Sequence, residues 1–210
     1  SVGVLDQTSF AKYEVAGPGA EGFLDRLCAN ALPRSVGRMS LTQMCTPKGG
    51  IECDLTVARL SEDAYYIVTG TGFATHDFTH IRRHIPDGVQ ASLLDITSAF
   101  GTLALMGPKA REVLGCVAEG DISHEGFPFG TVREIFVAGA PVRAMRLTFV
   151  GELGWELHVP SEYMLTVYET LRVKGAAFGL VDAGYRAIDS LRLEKGYRAW
   201  AADIGPDHTP

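Results

Sequence analysis

Tyr13-Glu14-Val15-Ala16-Gly17-Pro18-Gly19-Ala20 and, ninety residues later, Leu103-Ala104-Leu105-Met106-Gly107-Pro108-Lys109-Ala110 open two segments in the same way. Each reads as a short strand, a glycine turn and a proline at the first helical position, where its missing N–H costs no hydrogen bond. Helical spacing of apolar residues follows, as Phe23, Leu24 and Leu27 in one segment and Val113, Leu114 and Val117 in the other. Further on, residues 54–60, a Ser61-Glu62-Asp63 turn and residues 65–68 read as a hairpin. At the same ninety-residue offset, residues 144–150, a Gly151-Glu152-Leu153-Gly154 turn and residues 155–159 read as another. Amphipathic helices follow at about 73–84 and 161–174, and a last helix at about 182–195. Antiparallel hairpins covered by helices predict an α+β architecture of two strand–helix–hairpin–helix halves, about 13–95 and 103–195. An old duplication would produce such a pattern. No Pro-, Gly- or Ser-rich linker separates the halves, so they are expected to share or abut one sheet system.

Composition narrows the class. With 210 residues, 46% hydrophobic and 21% charged, the chain is an ordinary globular one. That length suffices to bury roughly 70% of the unfolded surface. The net charge of −6 argues against nucleic-acid binding, which calls for a basic footprint. Residues 96–108 form the longest uncharged stretch, which is broken by glycine and proline and too short to span a bilayer. Cys28, Cys45, Cys53 and Cys116 show no CxxC spacing, and no signal peptide is legible. These features predict a reduced compartment: cytoplasm, or mitochondrial matrix in a eukaryote. The ends, Ser1-Val2-Gly3 and Asp207-His208-Thr209-Pro210, read as cuts in a longer chain.

Few side chains announce chemistry by pattern alone. Asp54 follows the Gly49-Gly50 turn, and strand alternation places it with Thr56 and Ala58, away from Leu55 and Val57. By the same alternation Glu156 and His158 oppose Trp155, Leu157 and Val159, on what reads as a solvated face. His76, His80 and His84 stripe one helix face, but no HExxH glutamate or nearby cysteine joins them, so no metal site is expected. Gly70-Thr71-Gly72 is a lone GxG without a Walker or dinucleotide fingerprint, and no GxSxG occurs. Arg186, Asp189, Arg192 and Glu194 lie at spacings that suit surface ion pairs.

Three blocks carry a resemblance: residues 49–57 (GGIECDLTV), 148–156 (TFVGELGWE) and 189–194 (DSLRLE). They resemble the folate-binding domain of the glycine-cleavage T-protein (aminomethyltransferase) family. Residues 69–78 (TGTGFATHDF) and 194–200 (EKGYRAW) are similar to one branch of it, the folate domains of dimethylglycine and sarcosine dehydrogenases. The resemblance covers nearly the whole chain. It implies the fold of that domain across residues 1–210, without the C-terminal β-barrel that the family carries. It also implies tetrahydrofolate in a central hole, leaving as 5,10-methylenetetrahydrofolate. Asp54 matches the catalytic aspartate near the folate nitrogens, and Glu156 the glutamate that grips the pterin N–H groups in two places. Leu41, Phe149 and Trp200 would wall the ring, and Gly70 and Arg192 are folate-binding positions by the same match. Against the T-protein pattern, Cys53 replaces a first aspartate, Gly70 an asparagine, Phe149 a tyrosine and Ile188 an arginine.

The resemblance therefore implies a one-carbon transferase domain of a flavin-linked dehydrogenase. Its donor would be derived from a small methylated amine, and FAD would lie in a domain outside these residues, in the same chain or complex. A stand-alone aminomethyltransferase or folate-dependent demethylase is the alternative within the enzyme class. A non-catalytic folate-binding scaffold is the alternative outside it. A relative used in iron–sulfur maintenance has a cysteine where Lys195-Gly196-Tyr197 has none.

Overall fold

Runs such as Ala-Tyr-Tyr-Ile-Val-Thr at Ala64–Thr69 concentrate aromatic and β-branched side chains, which suit a pleated, half-buried surface. The computed structural model describes residues Ser1–Pro210. In chain order the elements are β1 (Val2–Asp6), β2 (Ala11–Ala16), α1 (Ala20–Leu27), β3 (Met39–Cys45), β4 (Ile51–Arg59), β5 (Ala64–Thr69), α2 (Ala74–Arg83) and β6 (Ser92–Asp95). There follow β7 (Phe100–Met106), α3 (Ala110–Gly115), β8 (Thr131–Val137), β9 (Ala140–Arg146), β10 (Gly154–Pro160), α4 (Met164–Gly175), β11 (Leu180–Ala183) and α5 (Tyr185–Lys195). Single 3-10 turns, Thr71–Phe73 and Ser161–Tyr163, lead into α2 and α4.

The chain divides into two compact units. One comprises Ser9–Thr97 and Arg198–Pro210. Its five-stranded antiparallel sheet has the order β3-β4-β5-β2-β6. Tyr13, Val15, Cys53, Leu55, Val57, Tyr65 and Ile67 form one face of that sheet. They pack with Phe23 and Leu24 of α1 and Ile81 of α2 into a single core.

The other unit comprises Ser1–Thr8 and Ser98–Tyr197. Its six-stranded sheet has the order β11-β1-β7-β10-β9-β8, antiparallel except where β1 meets β11. Trp155, Leu157 and Val159 pack on Leu103 and Leu105, under Val113 of α3 and Val167 of α4. The opposite face is also covered, because Leu5, Ala104 and Met106 pack on Val150 and on Ile188 of α5.

Both units run strand, helix, three strands, helix, strand. The additional strands β3, β6, β8 and β11 were not legible as strands, and β1 inserts between β7 and β11. Other expectations also need correction. Pro18 and Pro108 precede their helices: each occupies the second position of a turn closed by Ala20 N–H on the Gly17 carbonyl, or Ala110 N–H on Gly107. The strand placed at 144–150 is Ala140–Arg146, because the connection 147–153 is longer than its counterpart 60–63. Asp182 pairs with Val4 in β11, so the last helix begins only at Tyr185.

Candidate functional site

Along β4 buried and half-buried residues alternate from Ile51 to Val57, which turns Cys53, Leu55 and Val57 into the core and Asp54 and Thr56 to the other face. Register does the rest. Asp54 lies directly opposite Gln43 of β3, and Thr56 opposite Leu41. Gln43 Nε2 donates to Asp54 Oδ1 at 2.6 Å, whereas no protein donor reaches Oδ2. Burial pushes the Asp54 carboxyl above the usual carboxylate range, the Gln43 hydrogen bond opposes that rise, and the Asp77 charge adds to it. Leu41, on this same face, leaves 63% of its surface exposed, an apolar side chain with no internal packing to explain it. Gly70 ends β5 and leads into the 3-10 turn, with Phe73 Cδ2 3.7 Å from where its Cβ would stand.

Trp200 stands beside the start of β4. Its ring tilts against Phe73 at 5.9 Å and lines a cavity of about 180 Å³ together with Ile51, Glu52, His76 and Pro206. Beside that cavity, the side chains of Cys53, His76 and Asp77 bring possible metal-ligating atoms within 4.8 Å of one another. These groups already satisfy one another. The wholly buried Asp77 takes Thr69 Oγ1 on Oδ2 at 2.5 Å and pairs with His76 Nδ1 through Oδ1 at 2.9 Å. Glu52 holds His76 Nε2 at 3.0 Å, and the Asp77 hydrogen bond, with help from Glu52, raises the imidazole pKa. Asp77 lies in the first turn of α2, where the helix dipole favours a carboxylate. Spacing alone singled out the histidine stripe and missed Asp77 and Gln43, since both depend on cross-strand or strand-to-helix proximity.

In the other unit, Glu156 and His158 are buried, not solvated, because the α5 side of the sheet is covered. Glu156 is 6% exposed, and its carboxylate forms an ion pair with His158 Nε2 at 3.6 Å, longer than a hydrogen bond. His158 Nδ1 lies 3.2 Å from Thr102 Oγ1. With one loose partner, the carboxylate keeps lone pairs open to further N–H donors. Phe149 packs on the same side, stacked on Tyr197 with centroids 6.0 Å apart. Arg192 is buried and bonded to its own helix end: Nε reaches Asp189 Oδ1 at 2.8 Å and Nη1 the Tyr197 carbonyl at 3.0 Å. Thus the structure groups Leu41, Gln43 and Asp54 on one sheet face, sets Glu156 and Phe149 on one side of the second sheet, and gives Arg192 partners within the α5 region.

Known proteins match this frame end to end. Human mitochondrial sarcosine dehydrogenase is 41% identical over 221 residues, covering 99% of this chain and 24% of that protein. Mouse mitochondrial dimethylglycine dehydrogenase is 36% identical over 210 residues, covering 100% of this chain and 24% of that protein. The chain therefore spans about a quarter of the length of these curated relatives. Among solved structures, the glycine cleavage system aminomethyltransferase T from Bartonella henselae superposes with a TM-score of 0.86 at 27% identity, over 100% of this chain and 55% of that one. The family description "GCVT N-terminal domain" matches residues 1–210. The α+β fold with antiparallel sheets is that of the T-protein, and this chain belongs to the GCVT N-terminal domain family.

Proposed function

We infer that this domain binds tetrahydrofolate and passes it a one-carbon unit, as the folate domain of a flavoprotein related to dimethylglycine and sarcosine dehydrogenases. The observation that carries this reading is Glu156: a largely buried carboxylate whose protein partner is His158 Nε2 at 3.6 Å keeps lone pairs available for a ligand's N–H pair. A pterin ring presents such a pair, an amino group beside a ring N–H, so the residues fit the group. When bound, tetrahydrofolate supplies the two amine nitrogens that accept the one-carbon unit as 5,10-methylenetetrahydrofolate. Asp54 then has a separate task. Its free Oδ2 accepts a hydrogen bond from an amine, favours positive charge on that nitrogen, and takes the proton released as the new C–N bond forms. Leu41 offers apolar area to a ring, and Phe149 and Trp200 are the aromatic candidates for the same purpose. The donor is the iminium or formaldehyde equivalent left when a flavin domain oxidises a small methylated amine, and FAD belongs to that domain. No helix is long and apolar enough to cross a membrane, and a mitochondrial location fits the mitochondrial relatives.

Turnover of sarcosine or dimethylglycine by the whole protein, with and without tetrahydrofolate, tests this. Methylenetetrahydrofolate should replace free formaldehyde as product in the parent, and formaldehyde should persist in Asp54→Asn. Equal formaldehyde release from both, with folate present, would overturn the reading.

A further inference from the structure

We propose that Gln43 is the positioning residue for Asp54, its amide pinning one carboxylate oxygen across the β3–β4 ladder so that the other is left as the free acceptor for a ligand nitrogen. The ligand half of this statement rests on the folate reading above; the pairing itself does not.

Gln43 and Asp54 are registered cross-strand partners, and the 2.6 Å contact is a charge-assisted hydrogen bond from a neutral amide. A neutral donor matters here. An arginine or lysine in its place would neutralise the carboxylate and compete for both oxygens, whereas a glutamine fixes the rotamer and leaves the charge to act on a ligand. The charged group acting on Asp54 from α2 is Asp77, which disfavours ionisation. On this same face of the sheet Lys12 is buried, its ammonium donating to the Phe10 carbonyl at 2.8 Å. Gln43 is thus the hydrogen-bond donor that offsets both burial and the Asp77 field at Asp54.

The titration needs no folate, and tetrahydrofolate binding by the parent is measured separately by calorimetry. The Asp54 carboxyl carbon is followed by pH titration with carbon NMR in the parent protein and in Gln43→Met, which keeps length and packing but donates nothing; Asp54→Asn identifies the signal. The Asp54 midpoint should rise by about one pH unit in Gln43→Met, the size of one lost charge-assisted hydrogen bond. In Gln43→Glu it should rise further, as two carboxylates share the site. Far-UV circular dichroism confirms that each variant is folded, and either variant suffices if the other is not. An unmoved midpoint in a folded variant would overturn the positioning role even where the parent binds folate. A moved midpoint in a protein that ignores folate would uphold the pairing and end the folate reading instead.

Discussion

Burial lifts the Asp54 carboxyl above its ordinary range, so the folded state holds a proton that the unfolded chain has already released. Between the unfolded and folded pKa values the folded state binds more protons, and stability falls as pH rises through that window. Asp54→Asn removes the ionised group and is therefore expected to raise Tm at pH 7, by about 2 °C, and to leave it unchanged near pH 3. The same substitution should lower one-carbon transfer by at least about 100-fold, as loss of a positioned proton acceptor does. In the parent, transfer should decline on acidification through a midpoint above the usual carboxylate value of about 4. Calorimetric melts and a pH–rate profile check both signs. Asp54 was legible in the sequence because strand alternation sets its face. Gln43 was not, because its role depends on which residue of another strand lies opposite.

Among the elements, the two glycine turns are the firmest common feature. Gly17 and Gly107 have φ values of +130° and +131°, and a Cβ at each would approach a backbone oxygen, of Gln90 at 2.4 Å and of Ser1 at 2.6 Å. Gly17→Ala should cost at least about 2 kcal/mol, whereas Gly22→Ala, in open space on α1, should stabilise by about 0.5–1 kcal/mol. Urea melts compare them directly. Ion pairs separate in the same way. Arg59 is buried at the end of β4, bonded to both oxygens of Glu21 and to the carbonyls of Pro33, Arg34, Ser61 and Glu62. Arg59→Ala should cost about 2–4 kcal/mol, because six acceptor contacts lose their donor. Glu134→Ala, breaking a pair to Arg143 from a side chain 76% exposed, should cost less than about 0.5 kcal/mol. The strand–glycine–helix openings were readable because turn chemistry is local. The edge strands β6 and β11 were not: each is four residues long, and its strand character comes from pairing rather than from composition. The common element order of the units supports our proposal that they arose by duplication.

Over the whole molecule, each unit has its own core and its cysteines are free. Cys116 is exposed, Cys45 partly so, and Cys28 and Cys53 are buried, with burial pushing the Cys28 thiol up to about 12. A thiol reagent should therefore modify Cys116 at once, Cys45 slowly, and the other two only on unfolding. Fast reaction at all four would contradict the cores described. The sequence pattern located these cores, but it read the Glu156 face as solvated because α5 covers it from far along the chain. The central claim, that Glu156 awaits a ligand's N–H groups, is tested most directly by calorimetric titration of tetrahydrofolate, under reducing conditions, into the protein and its Glu156→Ala variant. Binding weakened by about 2–4 kcal/mol in a variant that melts like the parent is the expected result. Equal affinity in both would contradict it.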